Sequence, residues 1–216
     1  MANYEKRRKS DNLREAATME FLEERLYKGN EKYKRNYDRK TQRLGIDFML
    51  AGDESSEEWN VDLKAAAGFK YAKGLHTGCL ECFARYKSGN VWKPYVGWFL
   101  NPEEINDSFM YAWIDEKYGD KEDVEDKSDI KTIEVALVRK HKIIEYLVSI
   151  GWPLERIESY IKENIVGHEK DYGTQRIDGL KFNCPRWFYD EERPINILVP
   201  RNIYIDLSDF HKSWTV

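Results

Sequence analysis

Three polar residues stand where a strand would normally carry aliphatic side chains. Asp47 lies inside Gly45-Ile46-Asp47-Phe48-Met49-Leu50, and Asp62 and Lys64 lie inside Val61-Asp62-Leu63-Lys64-Ala65. Side chains of an extended chain alternate faces, so Asp62 and Lys64 point the same way, about 6.6 Å apart. Leu63 turns to the other face as a buried spacer, with its backbone carbonyl able to lean toward the site. If the Asp47 strand pairs beside the Asp62 strand, two carboxylates converge from neighbouring strands. Hard oxygen ligands so placed suit Mg²⁺ or Mn²⁺, with water and a substrate phosphate completing the shell. The chemistry of such a set is phosphodiester hydrolysis, with Lys64 orienting water or neutralising charge on the phosphate. The plainer reading is two edge strands with solvated charges, the lysine serving as edge protection.

The elements that must position these residues can be read around them. Leu13, Ala16, Ala17, Met19, Leu22 and Leu26 recur at spacings of three and four. They predict a helix over 11–28, capped by Ser10 or Asp11 and stopped at Gly29-Asn30. Two strands follow at 44–50 and 59–65, joined by the acidic turn of residues 51–58. A second hairpin is expected over 79–86 and 92–100, turning at Ser88-Gly89-Asn90. Residues 115–129 read as an exposed acidic loop and the best boundary. Beyond it, Ile133, Ala136, Leu137, Ile143, Ile144 and Leu147 predict an amphipathic helix ended by Gly151. Pro153 starts another helix through Ile157, Tyr160 and Ile161. The tail reads as two late strands around Val199-Pro200-Arg201-Asn202. The order is that of a mixed α/β domain.

An aspartate on one strand followed by Asp-x-Lys on the next, behind a helix, resembles the PD-(D/E)XK, or restriction-endonuclease-like, superfamily. The resemblance covers residues 11–100. It implies a mixed sheet flanked by helices, with a core over 1–125 and a C-terminal helix and strand extension over 126–216 packed on the same core. It also implies a metal-dependent deoxyribonuclease with Asp47 and Asp62 as Mg²⁺ or Mn²⁺ ligands and Lys64 as the catalytic lysine. The chain departs from the family pattern in having Ile46, not proline, before the first aspartate. Glu81, in Cys79-Leu80-Glu81-Cys82-Phe83, is a further acid on the third strand, and packing explains a glutamate there poorly. It joins the catalytic and metal set. Glu20, on the first helix, is read as part of a solvated face with Glu15, Glu23 and Glu24.

Charge is strongly segregated in a chain whose formal net charge is −4. Residues 28–43 carry seven basic side chains against two acids, interleaved with Tyr33 and Tyr37. Lys32, Lys34, Arg35, Arg39, Lys40 and Arg43 are therefore the expected DNA contacts, and the tyrosines could stack on an unpaired base. Residues 103–134 hold twelve acids against four lysines. That block supports a rival reading: a non-catalytic factor of phage or mobile-element origin that docks on a protein partner of a host defence system. Self-association is compatible with either reading.

The 216 residues, 41% hydrophobic and 14% aromatic, suffice for a sizeable core. No apolar run approaches the roughly 20 residues of a membrane span. Three cysteines make no disulfide framework, so a reduced, cytoplasmic protein is expected. Cys79-x-x-Cys82 lacks a second pair for zinc and reads as two buried thiols. Dispersed histidines and the lack of a phosphate-binding glycine loop give no support to nucleophilic or nucleotide-driven chemistry.

Overall fold

The strand Glu58–Ala67 splits its side chains between two hydrophobic cores, with Val61 and Leu63 in one and Ala66 against the other, and the architecture follows from that split. The structure, a computed structural model, describes residues 2–29, 32–42, 44–51, 58–67, 77–116, 124, 126–185 and 192–215. The elements run α1 (Ala2–Leu22), β1 (Tyr33–Arg35), α2 (Arg39–Gln42), β2 (Phe48–Ala51), β3 (Glu58–Ala67), β4 (Thr77–Ser88), β5 (Val91–Val96), β6 (Ser108–Glu116), β7 (Ile130–Arg139), α3 (Lys140–Ser149), α4 (Leu154–Asn164), α5 (Glu169–Tyr172), β8 (Thr174–Ile177), β9 (Leu180–Asn183), β10 (Glu192–Pro200), α6 (Arg201–Leu207) and β11 (Phe210–Thr215).

A six-stranded sheet has the order β1-β2-β3-β6-β7-β11 and is mixed, because β3 and β6 run parallel. A five-stranded antiparallel sheet has the order β5-β4-β10-β9-β8. The protein is thus α/β with mixed and antiparallel sheets flanked by helices. Both sheets draw strands from either side of residue 125, so the two sheets do not divide the chain at that point. Val61, Leu63, Phe48, Met110 and Val135 pack beneath Met19 and Leu22 of α1. The opposite face presents Phe109, Tyr111, Trp113 and Val138 to the second sheet and to Ile143 and Ile157 of α3 and α4.

Several elements differ from the sequence expectations. The first helix begins at Ala2, because Asp11 pairs with Arg14 at 2.9 Å within the helix instead of capping it. It ends in a π-helical turn, Glu23–Tyr27. The expected helix from Ile133 is strand β7 up to Arg139, and α3 begins only at Lys140. The stretch Ile133-Glu134-Val135-Ala136-Leu137-Val138 mimics helical spacing, but its β-branched residues are buried on both faces between β6 and β11. β6 and the β8–β9 hairpin were not foreseen. Asp178 (φ 44°) and Gly179 (φ 85°) supply the two left-handed residues of that hairpin's turn. In the tail, Arg201–Leu207 is a helix, not a strand. The buried Tyr204 fits against Gly78, where a Cβ would overlap its ring, and helical backbone is what turns it there.

The 51–58 turn and the 115–129 loop fall largely outside the described residues, as do Arg43 and His76. Among the described residues no helix is long and apolar enough to cross a membrane.

Candidate active site

Asp47 does not sit in a strand, as its sequence suggested, but at the mouth of one. Gly45 adopts φ +79°, and a Cβ there would collide with Glu104 Oε2, so the chain bends before β2 can start. β2 therefore begins at Phe48, opposite Val61. Beyond Val61, no described strand pairs with β3 on that side. Asp47 takes over part of the missing ladder: its Oδ2 accepts the Leu63 N–H at 2.7 Å, while its own N–H donates to Val61 O at 2.9 Å. A residue's N–H and C=O face the same edge of an extended strand. The Leu63 carbonyl thus points to the same open edge as the Asp47 carboxylate, while the Leu63 side chain packs toward α1.

Asp62 and Lys64 share the other face, as alternation requires. Asp62 is 5% exposed, and Lys64 Nζ lies 2.7 Å from its Oδ2. The same ammonium stands 4.3 Å from the centre of the Trp98 ring. Burial pushes the Asp62 carboxyl up to about 7, with Asp47 and Glu15 adding repulsion and Lys64 opposing it. For Lys64, burial favours the neutral amine, but Asp62, Glu15 and Asp47 outweigh it and hold the ammonium above its ordinary range. Lys64 thus pairs directly with Asp62, while Glu15 and Asp47 act on it through their charge.

Glu15 is the residue that sequence reasoning missed. It opens onto a groove of about 610 Å³ lined by Asn12, Ala16 and Met19 of α1, by Arg35, Arg39 and Gln42, and by Asp47 and Leu63. The residue is exposed, yet partial burial of its carboxyl raises the pKa to about 7, with Lys64 opposing and Asp47 adding to the shift. A signal was present: Glu15 precedes Met19, Leu22 and Leu26 by four, seven and eleven residues, the spacing of the sheet-facing stripe. Glu20, on the other side of the helix, is exposed.

Glu81 is placed elsewhere. It lies on β4 in the second sheet, opposite Asn196, beside a bulge at Ile195/Asn196. Tyr95 OH lies 3.5 Å from its Oε1 and also bonds Glu192. Burial and Glu192 push Glu81 up to about 7, and Lys64 draws it back down. Glu81 thus feels the charge of Lys64, while its side-chain hydrogen-bond partner is Tyr95. Among the described residues no three acidic, histidine or cysteine side chains form a ready metal cage. On the same strand Cys82 is buried, but Cys79 is exposed, contrary to expectation, and both are free thiols.

Two further charges border Asp62 and Lys64. Burial raises Glu104 and lowers Lys140, and each moderates the other. Glu104 Oε2 and Asn106 Nδ2 are buried without a hydrogen-bond partner among the described residues. Nothing in the local sequence announces that these two charges, one in the loop after β5 and one at the start of α3, act on each other.

Of the expected DNA contacts, Arg35 and Arg39 line the groove. Lys32 lies at the Ala51 end of β2, away from Asp47, and borders a different hollow with Trp59 and Asp209. Lys34 alternates to the face opposite Arg35, and Lys40 is solvent-exposed. The acidic block turns partly inward. Asp107 accepts from the Asn60 N–H and from Ser108, Asp126 and Asp129 cap a short turn, and Glu134 pairs with Arg201 and His211.

Comparison with known proteins finds no matching family model, no similar curated protein and no similar solved structure.

Proposed function

We propose that the chain is a metal-dependent nuclease that hydrolyses DNA phosphodiester bonds on a restriction-endonuclease-like fold. The observation that carries the reading is the Asp62–Lys64 ion pair on β3 next to Asp47, which is tied to the Leu63 N–H and lines a groove together with Glu15, Arg35 and Arg39. A helix packed over a hairpin that carries Asp47 and Asp62-x-Lys64 supports the fold assignment.

The donor set fits Mg²⁺ or Mn²⁺. It consists of hard oxygens, carries more negative charge than Lys64 balances, and includes a peptide carbonyl at an edge that no described strand pairs. Asp47, Asp62 and the Leu63 carbonyl would hold the ion, with Glu15 adjacent. Bound there, a divalent cation would supply Lewis acidity toward phosphate oxygens and lower the pKa of water. The side chains have separate tasks. The Leu63 N–H fixes the orientation of the Asp47 carboxylate. Asp62 and the Trp98 ring hold Lys64 Nζ, so that its charge can meet the negative charge that develops on the attacked phosphate. Arg35 and Arg39 neutralise phosphates along the groove.

The test is incubation with plasmid, linear duplex and single-stranded DNA, with and without Mg²⁺ or Mn²⁺. Metal-dependent cleavage is expected, with losses on the order of 10²–10³-fold or more in Asp62→Ala and Lys64→Ala. A wild type that cuts nothing, or variants that cut as well as it does, would sink the assignment.

A further inference from the structure

Tyr37 is 76% exposed, between two residues that are firmly bonded to the fold. Asn36, immediately before it, is buried and makes bonds in every direction. Its N–H donates to Asp47 O at 2.9 Å, and its Nδ2 donates to Ile46 O at 2.6 Å and Thr41 Oγ1 at 2.9 Å. Its Oδ1 accepts from the Asp38 N–H and from Thr41 Oγ1, and its carbonyl accepts from Gln42 Nε2. Asp38, immediately after Tyr37, turns its carboxylate onto the N–H groups of Lys40 and Thr41. The ring is therefore held out from a rigid rim, one residue from a direct hydrogen bond to Asp47.

Tyr33 and Tyr27 show the opposite use of an aromatic ring. They stack on each other at 4.3 Å and 4°, and the Tyr33 hydroxyl bonds Glu23. Among the described residues Tyr37 has no such ring partner. Its neighbour is the Arg35 guanidinium, 5.3 Å from the ring centre. Arg35 and Arg39, on either side of it in sequence, both line the groove. One single exposed aromatic is ordinary. A pre-positioned one between two groove cations matches the arrangement that takes a nucleic-acid strand: cations for the phosphates and a π-face for the base.

We infer that Tyr37, with Arg35 and Arg39, is a stacking platform for an unpaired base, so that the groove takes single-stranded DNA in preference to duplex. The inference rests on the nuclease reading for the substrate's chemistry. In a duplex both faces of an internal base are covered by its neighbours, and Tyr37 has nothing to stack on.

The test measures binding separately from cleavage. Asp62→Ala protein, or Asp62→Asn should the former lose its fold, is titrated without divalent metal against a fluorescein-labelled single strand. The other probes are the matching blunt duplex, a strand of abasic nucleotides and a single-stranded RNA. Adding Tyr37→Ala is expected to weaken single-strand binding by roughly 5- to 150-fold and to leave duplex and abasic-strand binding unchanged, and Tyr37→Trp restores it. Equal losses on single strand and duplex, an unchanged single-strand affinity, or no DNA binding at all would each overturn the inference. Tighter Tyr37-dependent binding of RNA than of DNA would overturn the choice of DNA. A wild type that cuts nothing but keeps Tyr37-dependent single-strand binding would break the nuclease reading alone.

Discussion

Glu169 and Asp62 are both buried carboxylates, 1% and 5% exposed, but the chain provides for them in opposite ways. Glu169 accepts two hydrogen bonds from Arg85, at 3.0 and 3.1 Å, and one from the Gly167 N–H, and it has Arg193 at 3.6 Å. Both guanidinium groups also lie against the Trp92 ring. Two cations serve one anion, and the cluster joins β4, β10 and the segment leading into α5. Asp62 has one ammonium, which Glu15 and Asp47 also draw on. A buried acid that only holds a fold together is supplied with more donors than it needs. Asp62, paired with a single ammonium, is provided for less fully.

The largest effect that would sharpen this contrast is on stability. Glu169→Gln leaves Arg85 and Arg193 without a charge partner and is expected to cost about 3–5 kcal/mol in urea unfolding. Asp62→Asn removes the ion pair to Lys64 but also relieves a buried charge and its repulsion from Asp47 and Glu15, so it should cost clearly less. Equal destabilisation by both variants would erase the distinction between the two clusters.

The next effect is on the pH dependence of stability. Folding raises Asp62 and Glu15 from ordinary values of 3.8 and 4.5 to about 7. Between those limits the folded protein binds more protons than the unfolded chain, so stability falls as pH rises from about 4 to 7 and levels off above. Mg²⁺ should restore stability chiefly above pH 7, where the carboxylates are ionised. Melting temperatures across this range, with and without MgCl₂, test the point. Should Asp62→Asn combined with Glu15→Gln keep the full slope, other groups are responsible.

The smallest effect separates two glutamates of the same helix. Glu15→Gln is expected to weaken Mg²⁺ binding by about 10–100-fold in calorimetric titration, whereas Glu20→Gln leaves it unchanged. Equal behaviour of the two variants would remove Glu15 from the site.

Much of this site was legible beforehand, because its signals are local. An aspartate between Val61 and Leu63, and another between Ile46 and Phe48, mark positions where burial of a charge needs a reason. Glu15 was legible too, through its helical spacing to Met19 and Leu22, although four glutamates on one helix disguised it as a solvated face. Glu104 and Lys140 were not legible, since nothing near either residue refers to the other. β7 was misread for a different cause. A strand buried on both faces has no alternation, and its apolar residues also fit a helical period.

By itself, then, the sequence determined which side of its own strand each residue takes: Asp62 and Lys64 together, Leu63 opposite. Backbone geometry fixes that alternation wherever a chain is extended. Tertiary structure alone decided what stands across from them. The bend at Gly45 starts β2 late and leaves the edge of β3 open, and α1 brings Glu15 to that edge. The second sheet carries Glu81 and places Tyr95 and Glu192 beside it. These outcomes depend on which strands pair and in what register, and strand pairing joins residues that the sequence holds far apart.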